Sequence, residues 1–172
     1  MNSTILTPLE SNKNDLDKSK STVKLLVFPI GKLTVALPVA RVKKVIKYTQ
    51  IYGSGLNHVN LTHMDKKEVT VVDLHQKLFK ISHDELTEDG GYFVITKPKQ
   101  TQEITSNSTE EAIAIRVIEA PILIDVALSN IRTLPNNYRY ADTLEIASHV
   151  AVIPQENQTN VTVFILDLEH LI

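Results

Sequence analysis

An all-β fold built from two small barrels is what this sequence predicts, and three observations predict it. A strand phrase occurs twice. Val69–Phe79 reads VTVVDLHQKLF and Val161–Ile172 reads VTVFILDLEHLI; each is a β-branched run that ends in Asp-Leu, and Asp73 and Asp167 lie 94 positions apart in a chain of 172 residues. More than half the chain separates the two aspartates, so one unit used twice is the economical reading. Roughly ten short β-branched or apolar runs are bounded by turn-forming residues, the pattern of a barrel or sandwich. Little of the chain carries the apolar periodicity of a helix.

The repeated phrase has a simple physical content. Val69, Val71 and Val72, and likewise Val161, Val163, Phe164 and Ile165, suit a pleated, buried strand. The aspartate that follows can accept orphan backbone N–H groups and open a short helical turn. Leu74 with Leu78, and Leu168 with Leu171, are spaced to return one face of that turn to the core.

The other elements follow in order. Residues 1–22, rich in Asn, Ser, Lys and Asp, predict a disordered tail, and order is expected from Val23. Lys24–Ile30 is a strand, Gly31-Lys32 a tight turn and Leu33–Leu37 the return strand. Pro38–Val42 predicts a helical turn opened by proline. Lys43–Tyr48 is extended, and Thr49–Asn57, with Gly53 and Gly55, reads as a loop. Val59–Met64, a polar tip at Asp65–Glu68 and the first copy of the phrase come next. Ile81–Gly91 is an acidic linker and a subdomain boundary. Tyr92–Thr96 is a strand, Lys97–Glu111 a polar loop, and Ala112–Val117 and Ile122–Val126 are strands. Leu128–Asn136 predicts a turn or short helix stopped by Pro135. Ile146–Ile153 and Val161–Asp167 close the chain as a hairpin that ends in a helical turn.

Bulk properties exclude several functions. The formal net charge is −2, which argues against general affinity for nucleic acid or an anionic membrane. Cysteine is absent, so disulfides, a thiol nucleophile and a thiolate metal site are excluded. The N-terminus has no apolar core of signal-peptide length, and the apolar stretch Ala112–Leu128 is broken by Arg116, Glu119, Pro121 and Asp125. A cytoplasmic protein with no direct membrane insertion is expected.

Four pieces in this order resemble the CheW family, adaptors of bacterial chemosensory arrays whose fold also forms the regulatory domain of the CheA histidine kinase. LLVFPIG with Val42–Tyr48 is similar to the family's first hairpin and following strand. VTVVDLH is similar to its VPVIDLR segment, SNIRTLP (Ser129–Pro135) to its ENIRPIP segment, and VFILDLEHLI to its closing strand and turn. The likeness covers about residues 24–172. It implies two five-stranded SH3-like β-barrels about a pseudo-twofold axis, approximately 23–90 and 91–172, with strand exchange at the C-terminus. It also implies binding rather than catalysis. One surface would grip the regulatory domain of a CheA-type kinase, and a groove between the barrels would take the cytoplasmic tip of a methyl-accepting receptor, in arrays at the membrane.

The departures from the family pattern are specific. The family's Asn-Leu-Arg-Gly becomes His63-Met64-Asp65-Lys66, so a basic residue is replaced by Asp65 and a turn glycine by Lys66. Lys44 stands where many members carry an acid, the loop after Tyr48 is about three residues short, and His149 replaces a glycine. If Lys44 and Asp65 are neighbours, an acid–base pair has been reversed end for end, and the partner it selects changes with it. The expected partner-binding residues are therefore Val42 and Met64 for apolar contact, and Lys44 and Asp65 for specificity.

The same residues offer little chemistry of other kinds. Six histidines raise a metal site, with His63 and Asp65 facing Asp73 and His75 as the one candidate set, but the spacing matches no zinc signature and surface or capping histidines are expected. No Gly-x-Ser-x-Gly elbow and no phosphate loop are present. Tyr138, Arg139 and Tyr140 could stack on a base, but no basic stripe supports them. The expectation is a non-enzymatic adaptor with no cofactor or metal. A receptor-binding decoy or scaffold that has lost the kinase is the alternative, and a metal- or ligand-binding β-barrel the reading from another class.

Overall fold

The computed structural model describes residues 21–56, 58–82, 89–97, 112–139, 145–157 and 159–172. The strands, in chain order, are β1 (Thr22–Ile30), β2 (Leu33–Pro38), β3 (Val42–Lys47), β4 (Tyr52–Leu56), β5 (Val59–Met64) and β6 (Lys67–Val72). They continue with β7 (Tyr92–Thr96), β8 (Ile113–Val117), β9 (Ile122–Ala127), β10 (Ile131–Thr133), β11 (Ala147–Pro154) and β12 (Asn160–Leu166). Among the described residues helix is confined to α1 (Leu74–Phe79), α2 (Asn136–Arg139) and three 3-10 turns at Val39–Arg41, Leu128–Asn130 and Leu168–His170.

The strands form two six-stranded sheets. One has the order β9-β1-β2-β12-β11-β10 and the other β3-β7-β8-β6-β5-β4. Laid side by side, the two orders correspond strand for strand. In each, a central antiparallel pair (β1–β2 or β7–β8) meets one parallel neighbour, β12 on β2 and β6 on β8. The two copies of the repeated phrase therefore occupy equivalent places. Their aspartates do the same work. Asp73 accepts the Gln76 N–H at 3.0 Å to cap α1, and Asp167 accepts the Glu169 N–H at 3.2 Å to cap the last turn.

Sheet membership crosses residue 90 in both directions. Each half of the sequence opens with an antiparallel pair, and each pair is incorporated into the sheet of the opposite half. β1 and β2 join β9–β12, while β7 and β8 join β3–β6. The exchange is thus reciprocal, and the C-terminal strand β12 takes part in it by pairing with β2. Its physical basis lies in strands that are apolar on both faces. Along β1, Leu25 and Val27 point into a cluster with Ala36, Val126, Ala151, Val163 and Ile165. The alternate residues Leu26, Phe28 and Ile30 point into a central core with Val35, Leu37, Val72, Leu74, Val94 and Ile115. β7 does the same, sending Phe93 and Ile95 to Met64, Val69, Val71 and Ala114, and Val94 to the central core. A continuous apolar run is what a strand between two cores requires, and each large side chain fully buried there stabilises the fold by about 1.5–3 kcal/mol.

Two expectations are corrected. Each sheet has six strands, not five. The residues read as a loop at 49–57 contain β4, an edge strand that pairs with β5 across a register shift between Gly53 and Leu56. A Cβ at Gly53 would meet nothing within 4 Å, so this glycine is no turn signal. The segment Leu128–Asn136 holds a 3-10 turn and then the three-residue β10 against β11. Most of the expected tail (1–22), linker (81–91) and polar loop (97–111) lies outside the described residues.

Candidate functional site

The site begins with local backbone chemistry. β5 and β6 are joined by a two-residue turn, with Met64 opposite Lys67. Its central residues, Asp65 and Lys66, both have left-handed φ, 51° and 64°. Such a turn matches the twist of a hairpin but favours Asn and Gly, so Lys66 holds it at a conformational cost. The gain is position, because the turn lifts Asp65 beside β3.

β3 supplies the other side. It follows the turn that Pro38 opens, and its residues alternate: Val42, Lys44 and Ile46 are half-buried, Lys43, Val45 and Lys47 exposed. A bulge displaces the register, Val42 lying opposite Thr96 and Lys44 opposite Ile95. Lys44 Nζ donates to Asp65 Oδ2 at 2.8 Å. The hydrogen bond from Lys44, and then its charge, hold the Asp65 carboxyl below the usual carboxylate range. The pair is open to water, so it contributes little to folding.

Between these elements lies an open cleft of about 530 Å³, solvent-exposed space included, lined by Lys43, Lys44, Met64, Asp65, Lys67, Glu68, Val69, Ile95 and Ala112. Met64, Val69 and Ile95 belong to the apolar cluster of the second sheet and form its floor. Three of the four residues expected to bind a partner, Lys44, Met64 and Asp65, thus line one cleft. Met64 is 9% exposed and serves as floor more than as a projecting contact. Val42 is not part of the cleft lining; it is half-buried and packs against the central core.

Sequence reasoning missed several residues here. Lys67 and Glu68 reach the cleft from the strand that leaves the β5–β6 turn, and Ile95 and Ala112 only through pairing of distant strands. At the far end of the same sheet Arg116 is 2% exposed. Its guanidinium lies 4.6 Å above the Tyr48 ring, and its Nε donates to the Gly90 carbonyl at 3.3 Å. Gly90, at φ +70°, admits that ring because a Cβ would meet Tyr48 Cγ at 2.3 Å. A charge inside the apolar alternation of IAIRV was the available signal.

The histidines separate. His75 is buried, contrary to the surface expectation, and its Nε2 accepts the Gly31 N–H at 3.2 Å, tying α1 to the β1–β2 turn. His63 is exposed and stands edge-on to Tyr52. Among the described residues no three His, Asp or Glu side chains gather as metal ligands. No described helix is long and apolar enough to cross a membrane.

No family model matches the chain, and no curated protein matches it. Among solved structures, the crystal structure of the scaffolding protein TtCheW from Thermoanaerobacter tengcongensis is similar, with a TM-score of 0.65 at 13% identity over 86% of each chain. At that identity the likeness establishes a shared fold, a CheW-like pairing of two β units.

Proposed function

We propose that this chain, having the fold of a scaffolding protein, is itself a non-catalytic adaptor. It would couple methyl-accepting receptors to a CheA-type histidine kinase in a bacterial chemosensory pathway. The observation that carries the reading is the cleft on a CheW-like fold, where Lys44, Met64 and Asp65 converge from β3 and the β5–β6 turn. The cleft is the proposed seat of the kinase regulatory domain. Apolar side chains left exposed on β9 and the turn after it, Ile122, Leu123 and Leu128, offer surface to a receptor's helical tip. The mechanism is fixed geometry: partners held at set positions let a receptor movement bias the kinase between two states.

The test is calorimetric titration of the full chain against the regulatory domain of the CheA-type kinase from the same genome. The variant is Lys44→Glu combined with Asp65→Arg. The double reversal keeps an internal ion pair while inverting both charges shown to a partner, so it tests recognition with the fold intact. Micromolar binding weakened about tenfold by the reversal, or about 1.4 kcal/mol, supports the reading. Unchanged affinity removes the cleft as the kinase site, and no binding removes the kinase.

A further inference from the structure

The chain has a net charge of −2, yet the face around the cleft is basic. Lys43, Lys44 and Lys67 line it, and Lys66 stands exposed on the turn beside Asp65. Arg41 and Lys97 extend the same face, since the Lys97 N–H donates to the Arg41 carbonyl at 2.8 Å just beyond the Val42–Thr96 pair. Against these six cations the described residues of this face set two carboxylates, Asp65 and Glu68. Asp65 is engaged from within, because Lys44 donates to it at 2.8 Å. A solvent-exposed pair of this kind is worth little and exchanges partners readily.

We propose that the cleft recognises an acidic protein surface bearing an apolar side chain, and that Asp65 is an internal competitor which a partner carboxylate displaces from Lys44. The inference rests on the cleft being a docking site, not on the kinase being its occupant. Three features select a protein over other polyanions. The basic face is concave with an apolar floor of Met64, Val69 and Ile95, which suits one protruding side chain and not a bilayer. Asp65 and Glu68 line the cleft together with the lysines, where they repel closely spaced phosphates but can pair with a base on a protein. The described part of this face presents no row of exposed aromatic rings on which bases could stack.

The experiment uses the 15N-labelled full chain and four probes: an acidic decapeptide carrying two leucines and one arginine, its counterpart with lysine for glutamate, a single-stranded DNA decamer, and vesicles with anionic phospholipid. The acidic peptide is expected to shift the amides of β3, the β5–β6 turn, Ile95 and Lys97. Its affinity is expected to fall at least about fivefold between 50 and 300 mM salt, as a contact between exposed charges must. Asp65→Asn, which keeps a residue suited to left-handed φ, is expected to raise affinity about threefold. Lys43→Glu with Lys67→Glu is expected to abolish it.

Silence of the acidic peptide overturns the proposal, as does equal binding of the DNA or the vesicles. Unchanged or weaker binding by Asp65→Asn overturns the competitor role. Peptide binding without kinase binding would leave this inference and remove the proposed kinase contact. Kinase binding without peptide binding would do the reverse.

Discussion

At the residue scale, the β5–β6 turn shows local stability yielding to position. Lys66 holds φ 64°, where a side chain costs about 1–2 kcal/mol relative to glycine, while glycine gives back about 0.4–1 kcal/mol through a freer unfolded chain. Lys66→Gly should therefore stabilise the protein by about 0.5–1 kcal/mol, read as a raised urea midpoint at constant slope. His58 is a second residue-scale case. Partial burial, then the charges of Lys77 and Lys80, hold it below its ordinary 6.5, with Asp73 pulling weakly the other way. The unfolded chain takes up this proton at a higher pH than the folded one, so stability falls as pH drops through 6.5 towards the folded value. Thermal melts should show a lower midpoint at pH 5.5 than at pH 7.5, and His58→Gln should reduce the difference. The juxtaposition of Lys44 and Asp65 was legible, because the reversal of two charges against the family pattern is visible in one dimension, and the two side chains do pair. Val42 lies outside the cleft lining, and the bulge between Val42 and Lys44 that shifts the register of β3 is announced by no residue there.

At the scale of elements, most strands were legible, because β-branched runs with turn signals specify them. The two that were not, β4 and β10, are short edge strands, one carrying two glycines and the other only three residues long with Pro135 shortly after it. Their pairing is set by the neighbour, β5 or β11, and not by their own composition. The repeated phrase was legible down to its cap. Loss of either cap should cost about 0.5–2 kcal/mol, and the two should differ. Asp73 is 3% exposed and caps a six-residue helix, so Asp73→Ala belongs near the upper end. Asp167 is half-buried and opens only a three-residue 3-10 turn, so Asp167→Ala belongs near the lower end even with the 3.1 Å contact to His170 Nδ1 added. Equal losses in denaturant unfolding would contradict the inequality of the two capped turns.

At the scale of the whole molecule, the exchange of strand pairs was hidden because nothing local distinguishes a pair that stays from one that crosses. The only trace was the double-sided hydrophobicity of LLVFPI and YFVIT. Neither sequence half can complete a sheet by itself. Residues 1–90 and 91–172, produced separately, should each lack cooperative unfolding, and mixing them should restore one transition near that of the intact chain. A cooperative melt from either half alone would contradict the interlock. The same interlock has a mechanical meaning. The chain passes between the sheets twice, at Pro38–Val42 and at Val117–Ile122, and both passages flank one shared core. Swivelling one sheet against the other would have to strain both passages and shear that core at once. The two sheets are therefore expected to move as one body, a push on one being passed to the other through the shared core and the two passages.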